Sequence, residues 1–247
     1  MKWKKEVPLT KRLAVIASMC RQGVCVADIG TDHAYLVCSL VQQGIAEQAI
    51  ASDINRLPLA RAEENIRDYG LENQIQTILS DGFANLPIEE IDDVVIAGMG
   101  GETIAAILEA CPAIRVPSKR FILQPMTKLC EMREYLYARG FTLLREQAVC
   151  EGEHIYTVML AQYTGQPQAI DPLTREIGLV RFNNGKDDIA YMVRSAQRLF
   201  LKARGLEQAA EESVRVQAES CRSLAAEIAM LAGDEYEQSA RSIPLDE

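Results

Sequence analysis

Two carboxylates, a hydroxyl and an imidazole fall within one short stretch, Asp28-Ile29-Gly30-Thr31-Asp32-His33-Ala34. An apolar run, Val24-Cys25-Val26-Ala27, precedes it, and a segment with helical character follows. Strand, tight glycine turn, helix is how a doubly wound sheet presents a nucleotide-like ligand at the carboxyl ends of its strands. A dinucleotide site asks for G-x-G-x-x-G, whose glycines let backbone amides close around a pyrophosphate. Here Gly30 stands between Asp28 and Asp32, and two carboxylates repel a pyrophosphate. They suit a ligand with hydroxyls and a positive charge. S-adenosylmethionine carries a ribose, an ammonium and a sulfonium, so Asp28, Gly30 and Thr31 are expected to contact it. His33 has two readings: a local hydrogen-bonder at a helix start, or a member of a reactive pocket beside Asp32.

Further candidates stand where later strands end. Asp53, followed by Ile54, lies about 20 residues past the glycine turn, where an acid accepts hydrogen bonds from both ribose hydroxyls. The plainer reading is a surface turn aspartate. In Ser80-Asp81-Gly82, Asp81 can accept from an adenine amino group while Gly82 lets the backbone pass the ring, or the triplet is an ordinary turn. Ala97-Gly98-Met99-Gly100-Gly101 places three glycines in four positions, an entropic cost that close approach of backbone to ligand would explain. Gly98, Met99 and Gly100 are therefore expected beside the cofactor. Gln124, before Pro125-Met126, could hydrogen-bond a nucleobase edge or simply end a strand.

The elements that must position these residues follow from the apolar pattern. Strands are predicted at 24–29, 48–53, 75–79, 93–97, 120–124, 141–149 and 154–161, and helices at 33–43, 57–69, 101–110 and 128–139. Such alternation implies an α/β, Rossmann-like, mainly parallel sheet with helices on both faces. The last two strands are joined by Cys150-Glu151-Gly152-Glu153, too short for a helix, so the sheet ends in an antiparallel hairpin. A class I methyltransferase sheet ends this way, and a dehydrogenase sheet does not usually do so. Leu9, Leu13, Ile16 and Cys20 share one face of a lead-in helix. After Thr164-Gly165-Gln166-Pro167-Gln168 the strand signals stop. Apolar steps of three and four over 187–206 and 210–232 predict a coiled-coil-like helical hairpin turning near Gly205. The expected division is a methyltransferase domain at 1–165 and a helical domain at 166–247.

The 247 residues carry a net charge of −9 and are 48% hydrophobic, which excludes general disorder and indiscriminate adhesion to nucleic acid or membrane. That balance conceals two basic clusters. Lys2, Lys4, Lys5, Lys11, Arg12 and Arg21 precede the sheet; Arg175, Arg181, Lys186, Arg194, Arg198, Lys202 and Arg204 follow it. Each is either a solvated face or a phosphate-contacting surface. Seven scattered cysteines, odd in number and without a C-x-x-C pair, read as reduced thiols of a cytoplasmic protein, with no metal site. His154 reads as structural. No segment is long enough to span a bilayer, and the lysine-rich start lacks the apolar length and cleavage site of a signal peptide.

These motifs together resemble the bacterial tRNA adenine-22 N1-methyltransferase family, called TrmK. The resemblance rests on Val26-Ala27-Asp28-Ile29-Gly30-Thr31-Asp32-His33-Ala34-Tyr35-Leu36, Ala51-Ser52-Asp53, Gly98-Met99-Gly100-Gly101 and Ile122-Leu123-Gln124-Pro125-Met126, and it spans nearly the whole chain. It implies S-adenosylmethionine as cofactor, tRNA as substrate and a C-terminal arm that helps grip tRNA, with no obligate protein partner. The family commonly has Pro after Ala-Tyr-Leu; Val37 stands there in this chain. Asp32, His33, Tyr35 and Gln124 are the candidates to face the adenine, and Asp28 serves the cofactor. An Asn-Pro-Pro-Tyr motif for an exocyclic amine is absent, which fits a ring nitrogen better. An NAD(P)-dependent oxidoreductase and a non-catalytic tRNA-binding module are the alternatives.

Overall fold

The central strands are nearly all apolar because both faces of a parallel sheet are covered by helices. In the computed structural model, which describes residues 6–183, 185–207 and 211–233, seven strands form one sheet. They are β1 (Val24–Ile29), β2 (Ala46–Asp53), β3 (Ile75–Leu79), β4 (Asp93–Gly100), β5 (Arg120–Thr127), β6 (Phe141–Glu151) and β7 (His154–Tyr163). Their order is β3-β2-β1-β4-β5-β7-β6. The first five run parallel to one another. β7 is antiparallel to both β5 and β6, so the hairpin end expected of a methyltransferase sheet is present. Val26, Val94, Val95, Ile96, Ile122 and Leu123 are fully buried in its centre.

Helices α1 (Lys11–Ala17), α2 (Tyr35–Gln42), α3 (Arg56–Tyr69), α4 (Gly101–Ala110) and α5 (Leu129–Ala138) flank this sheet. Thr10 caps α1 by accepting a hydrogen bond from the Leu13 N–H. Ile16 is buried, and Leu9, Leu13 and Cys20 pack against the same core. Two helices begin later than expected. Ala34 and Lys128 adopt left-handed backbone, with φ of 57° and 59°, immediately before α2 and α5. His33 therefore lies in the loop and not in the first helical turn.

The glycine segment also departs from the expected turn. β4 continues through Gly100, pairing with β5 as far as Thr127, with register shifts on both sides of Met99. The glycines thus form a bulged strand end that bends the chain at the sheet edge facing the ligand side. Gly101 then opens α4, and a Cβ there would lie 2.8 Å from the Thr127 carbonyl oxygen and 2.9 Å from that of Lys128. Only glycine lets α4 start this close to the β5–α5 connection.

The chain divides into two compact units, Met1–Ala169 and Ile170–Glu247. In the second, α7 (Lys186–Glu207) and α8 (Glu212–Ala232) pack along each other, burying Met192, Ala196, Leu199 and Ala203 with Ala218, Cys221, Ala225 and Ile228. Gly205 lies inside α7 and not at the turn; nothing crowds it, and a helix interior tolerates such a glycine at modest cost. A short α6 (Pro172–Ile177), capped by Asp171, precedes them and gave no periodic signal. Among the described residues no helix is long and apolar enough to cross a membrane.

Candidate active site

Parallel register brings the carboxyl ends of β1, β2 and β4 side by side. Asp28 and Ile29 sit opposite Ala51 and Ser52 of β2 and opposite Val95 and Ile96 of β4. The turn after β1 is fastened to β2: the N–H groups of Gly30 and Thr31 both donate to the Ser52 carbonyl, at 2.8 and 2.9 Å. Gly30 has φ +83°, and a Cβ on it would fall 2.0 Å from Cε of Met99. The left-handed backbone is what requires glycine here; Met99, which reaches across from the end of β4, contributes only the mobile end of its side chain.

Above this turn lies a cavity of about 340 Å³ lined by Asp28, Gly30, Thr31, Asp32, His33, Tyr35 and Gly98, among others. Asp28 is 8% exposed, and no cation pairs with it among the described residues. Burial pushes its pKa from 3.8 up to about 6, a Thr31 hydrogen bond pulls it down, and the Asp53 charge raises it again. A buried carboxylate without a counter-charge fits the ammonium or sulfonium of S-adenosylmethionine. Asp32 is more open. Its Oδ2 lies 3.2 Å from Nε2 of His33 and its Oδ1 accepts from Nη1 of Arg61 at 3.3 Å. The His33 ring stacks on Tyr35 at 5.5 Å, and Asn65 of α3 donates to the His33 carbonyl at 2.9 Å.

Asp53 closes β2. One carboxylate oxygen, Oδ1, accepts from the Asn55 N–H at 2.6 Å, which orients the side chain. Ile54 beside it is 60% exposed, an apolar surface suited to the face of a purine ring. Asp81 and Gly82 line a second cavity of about 680 Å³, with Phe83, Thr103 and Ile107. Asp53, Ile54, Met99, Gly100 and Gln124 line neither cavity. Gln124 is fully buried; its Oε1 accepts from the Gly98 N–H at 3.1 Å and from Nη1 of Arg12 at 2.5 Å. Its Nε2 donates to the Pro125 carbonyl at 3.1 Å. Structurally it ties the bulge of β4 to α1, a different position from a side chain projecting toward a base.

The family profile described as a methyltransferase domain matches residues 9–159. The tRNA (adenine(22)-N(1))-methyltransferase of Bacillus subtilis is 35% identical over 175 residues, 71% of this chain and 74% of that protein. The chain belongs to the TrmK family. The crystal structure of the B. subtilis m1A22 tRNA methyltransferase TrmK superposes with a TM-score of 0.78 at 29% identity, over 90% of this chain and 99% of that one. A TrmK from M. capricolum, solved with S-adenosyl-homocysteine, gives 0.72 at 28% identity, over 91% and 97%.

Two side chains of this TrmK-family site carried no signal in the sequence. Arg61 braces Asp32 from α3, 29 positions away. Arg12 lines the first cavity; by charge it was one member of a basic cluster. Lys2, Lys4 and Lys5 lie outside the described residues, and Arg21 is held by the buried Asp93 through two hydrogen bonds of 2.8 Å.

Proposed function

We propose that this chain transfers a methyl group from S-adenosylmethionine to N1 of an adenine in tRNA, at position 22. The observation that carries this reading is the buried, unpaired Asp28 beneath a glycine turn, facing the bulged end of β4, in a chain of the TrmK family. Asp28, Gly30, Thr31 and Gly98 would hold the methionine end, Asp53 the ribose, and Ile54, Asp81 and Gly82 the adenine ring. When bound, the cofactor supplies a methyl group made electrophilic by its sulfonium.

Adenine N1 is neutral and presents an in-plane lone pair, so no side chain has to remove a proton before attack. The protein's tasks are alignment, exclusion of water and stabilisation of the cation formed on the ring. N1 faces its pairing partner in a duplex, so the base must be unpaired or flipped. Asp32, exposed at the cavity and held by Arg61 and His33, would offset that positive charge. Gln124 supports the acceptor side by holding the Gly98 N–H. In the second unit, Lys202 and Arg204 are exposed and unpaired among the described residues, which supports a phosphate-contacting role for the helical arm. We place the enzyme in the cytoplasm on its seven cysteines, none of them in a disulfide; tRNA as the partner, without an obligate protein partner, is the reading that membership of the TrmK family supports.

The experiment is incubation with S-adenosylmethionine and unmodified bulk tRNA, followed by nucleoside mass spectrometry. The expected product is 1-methyladenosine. Tight tRNA binding with no methylated nucleoside would instead identify a non-catalytic module.

A further inference from the structure

Ala34 is one of two residues other than glycine with left-handed backbone among the described residues, at φ 57° and ψ 16°. Its Cβ disfavours that conformation, and alanine has no polar side chain to stabilise it locally. It is 1% exposed, so the residues around it must hold it there. The strain falls inside Asp32-His33-Ala34-Tyr35, the run that carries the acceptor-side candidates, and strained backbone gathers at functional sites.

Three contacts hold the segment. The Ala34 N–H donates to Oγ1 of Thr31 at 3.2 Å. The Ala34 carbonyl accepts from the Cys38 N–H at 2.9 Å, the first rung of α2. The His33 carbonyl stands one residue before that rung and accepts from Nδ2 of Asn65 at 2.9 Å. Of the three, the last alone comes from a distant element, α3. Asn65 stands one turn beyond Arg61 there, and residues four apart share a helix face. Arg61 donates to Oδ1 of Asp32, so one face of α3 holds the segment twice, by side chain and by main chain. In a right-handed turn, residues two apart do not face each other. With Ala34 left-handed, the rings of His33 and Tyr35 stack at 5.5 Å with 21° between their planes. Nε2 of the stacked His33 lies 3.2 Å from Oδ2 of Asp32. The carboxylate proposed to offset the ring cation is thus placed by a chain of contacts that ends at Asn65.

We propose that Asn65 is a positioning residue for methyl transfer. Its hydrogen bond to the His33 carbonyl keeps Ala34 left-handed, and so keeps the His33 ring on Tyr35 and against Asp32. Asn65 lines neither cavity, so it acts through His33 and not on the cofactor. The proposal rests on the reading of Asp32 as the group that faces the acceptor adenine.

The test joins kinetics to proton NMR of the full chain. The protein has two histidines, so the His33 ring can be followed with His154 as an internal control. Asn65→Ala should move the His33 ring resonances toward those of an unstacked imidazole and leave those of His154 in place. Its kcat at saturating tRNA should fall about two- to tenfold, the effect of one hydrogen bond, with S-adenosyl-homocysteine affinity within about twofold. Asn65→Asp, of the same size but without the donor, should behave as Asn65→Ala does. Ala34→Gly, which adopts left-handed backbone without strain, should restore part of the lost kcat when added to Asn65→Ala. Unchanged His33 resonances overturn the proposal, as does a wild-type kcat in both Asn65 variants. Absence of rescue by Ala34→Gly overturns the route through the left-handed backbone. Equal loss of kcat and of S-adenosyl-homocysteine affinity also overturns it and makes Asn65 a general prop of the fold. A wild-type protein that transfers no methyl group to tRNA would instead refute the methyl-transfer reading, and the His33 resonances would still decide whether Asn65 holds the segment.

Discussion

At Asp28 the fold holds an acid in surroundings that disfavour its charge. Burial raises its pKa from 3.8 to about 6, so the folded chain binds this proton more tightly than the unfolded chain. Ionisation is thus neutral to stability below about pH 4 and destabilising above about pH 6, by about 3 kcal/mol at most. A cationic ligand offsets that loss. Asp28→Asn should therefore raise the Tm of the ligand-free protein at pH 7.5, with the gain vanishing toward pH 4. It should also abolish the Tm increase produced by S-adenosyl-homocysteine. Thermal denaturation with and without that ligand checks both, and a lower ligand-free Tm at pH 7.5 would contradict the account. Asp28, Thr31, Asp32 and His33 were legible in the sequence because they are contiguous, and the turn they share is a local feature. Arg12 was not, since its partners Gln124 and Glu151 lie 112 and 139 positions away and its charge alone matched a solvated face equally well.

Elements were legible where hydrophobic period and length agreed. β3 and α4 begin and end where the pattern placed them. Ala34 and Lys128 explain two misplaced helix starts, because neither residue type marks a left-handed backbone. The length of β4 was hidden for another reason: pairing with β5 carries the glycines beyond their intrinsic turn preference. The buried pair Arg133–Glu146 joins α5 to β6, with Nη2 and Oε1 2.6 Å apart and both side chains fully buried. Breaking it leaves an uncompensated charge in the core. Glu146→Ala should lose about 3–5 kcal/mol, and replacing both residues by Met and Leu should recover most of that. Urea unfolding of the two variants decides this; a Glu146→Ala loss under about 1 kcal/mol would show that water reaches the pair.

For the whole molecule, the mainly parallel sheet with its terminal hairpin followed from the alternation of strand and helix signals, and the helical unit from the change of apolar period after residue 163, while α6, too short to show a period, did not. The proposed function assigns the cofactor to the first unit and phosphate contacts to the second. A protein ending at Ala169 should bind S-adenosyl-homocysteine with nearly the full-length affinity. It should bind tRNA more weakly, with a log–log salt slope shallower by about 2 to 4 if three or four phosphate contacts are lost. An unchanged slope would confine RNA binding to the first unit. The central claim, methylation of adenine N1 at one position of tRNA, is tested most directly with isotopically labelled S-adenosylmethionine and two transcripts that differ only in A or G at position 22. The account predicts about one methyl group per A22 transcript, recovered as 1-methyladenosine at that nucleotide, and none on the G22 transcript; equal incorporation into both, or recovery as 6-methyladenosine, would contradict it.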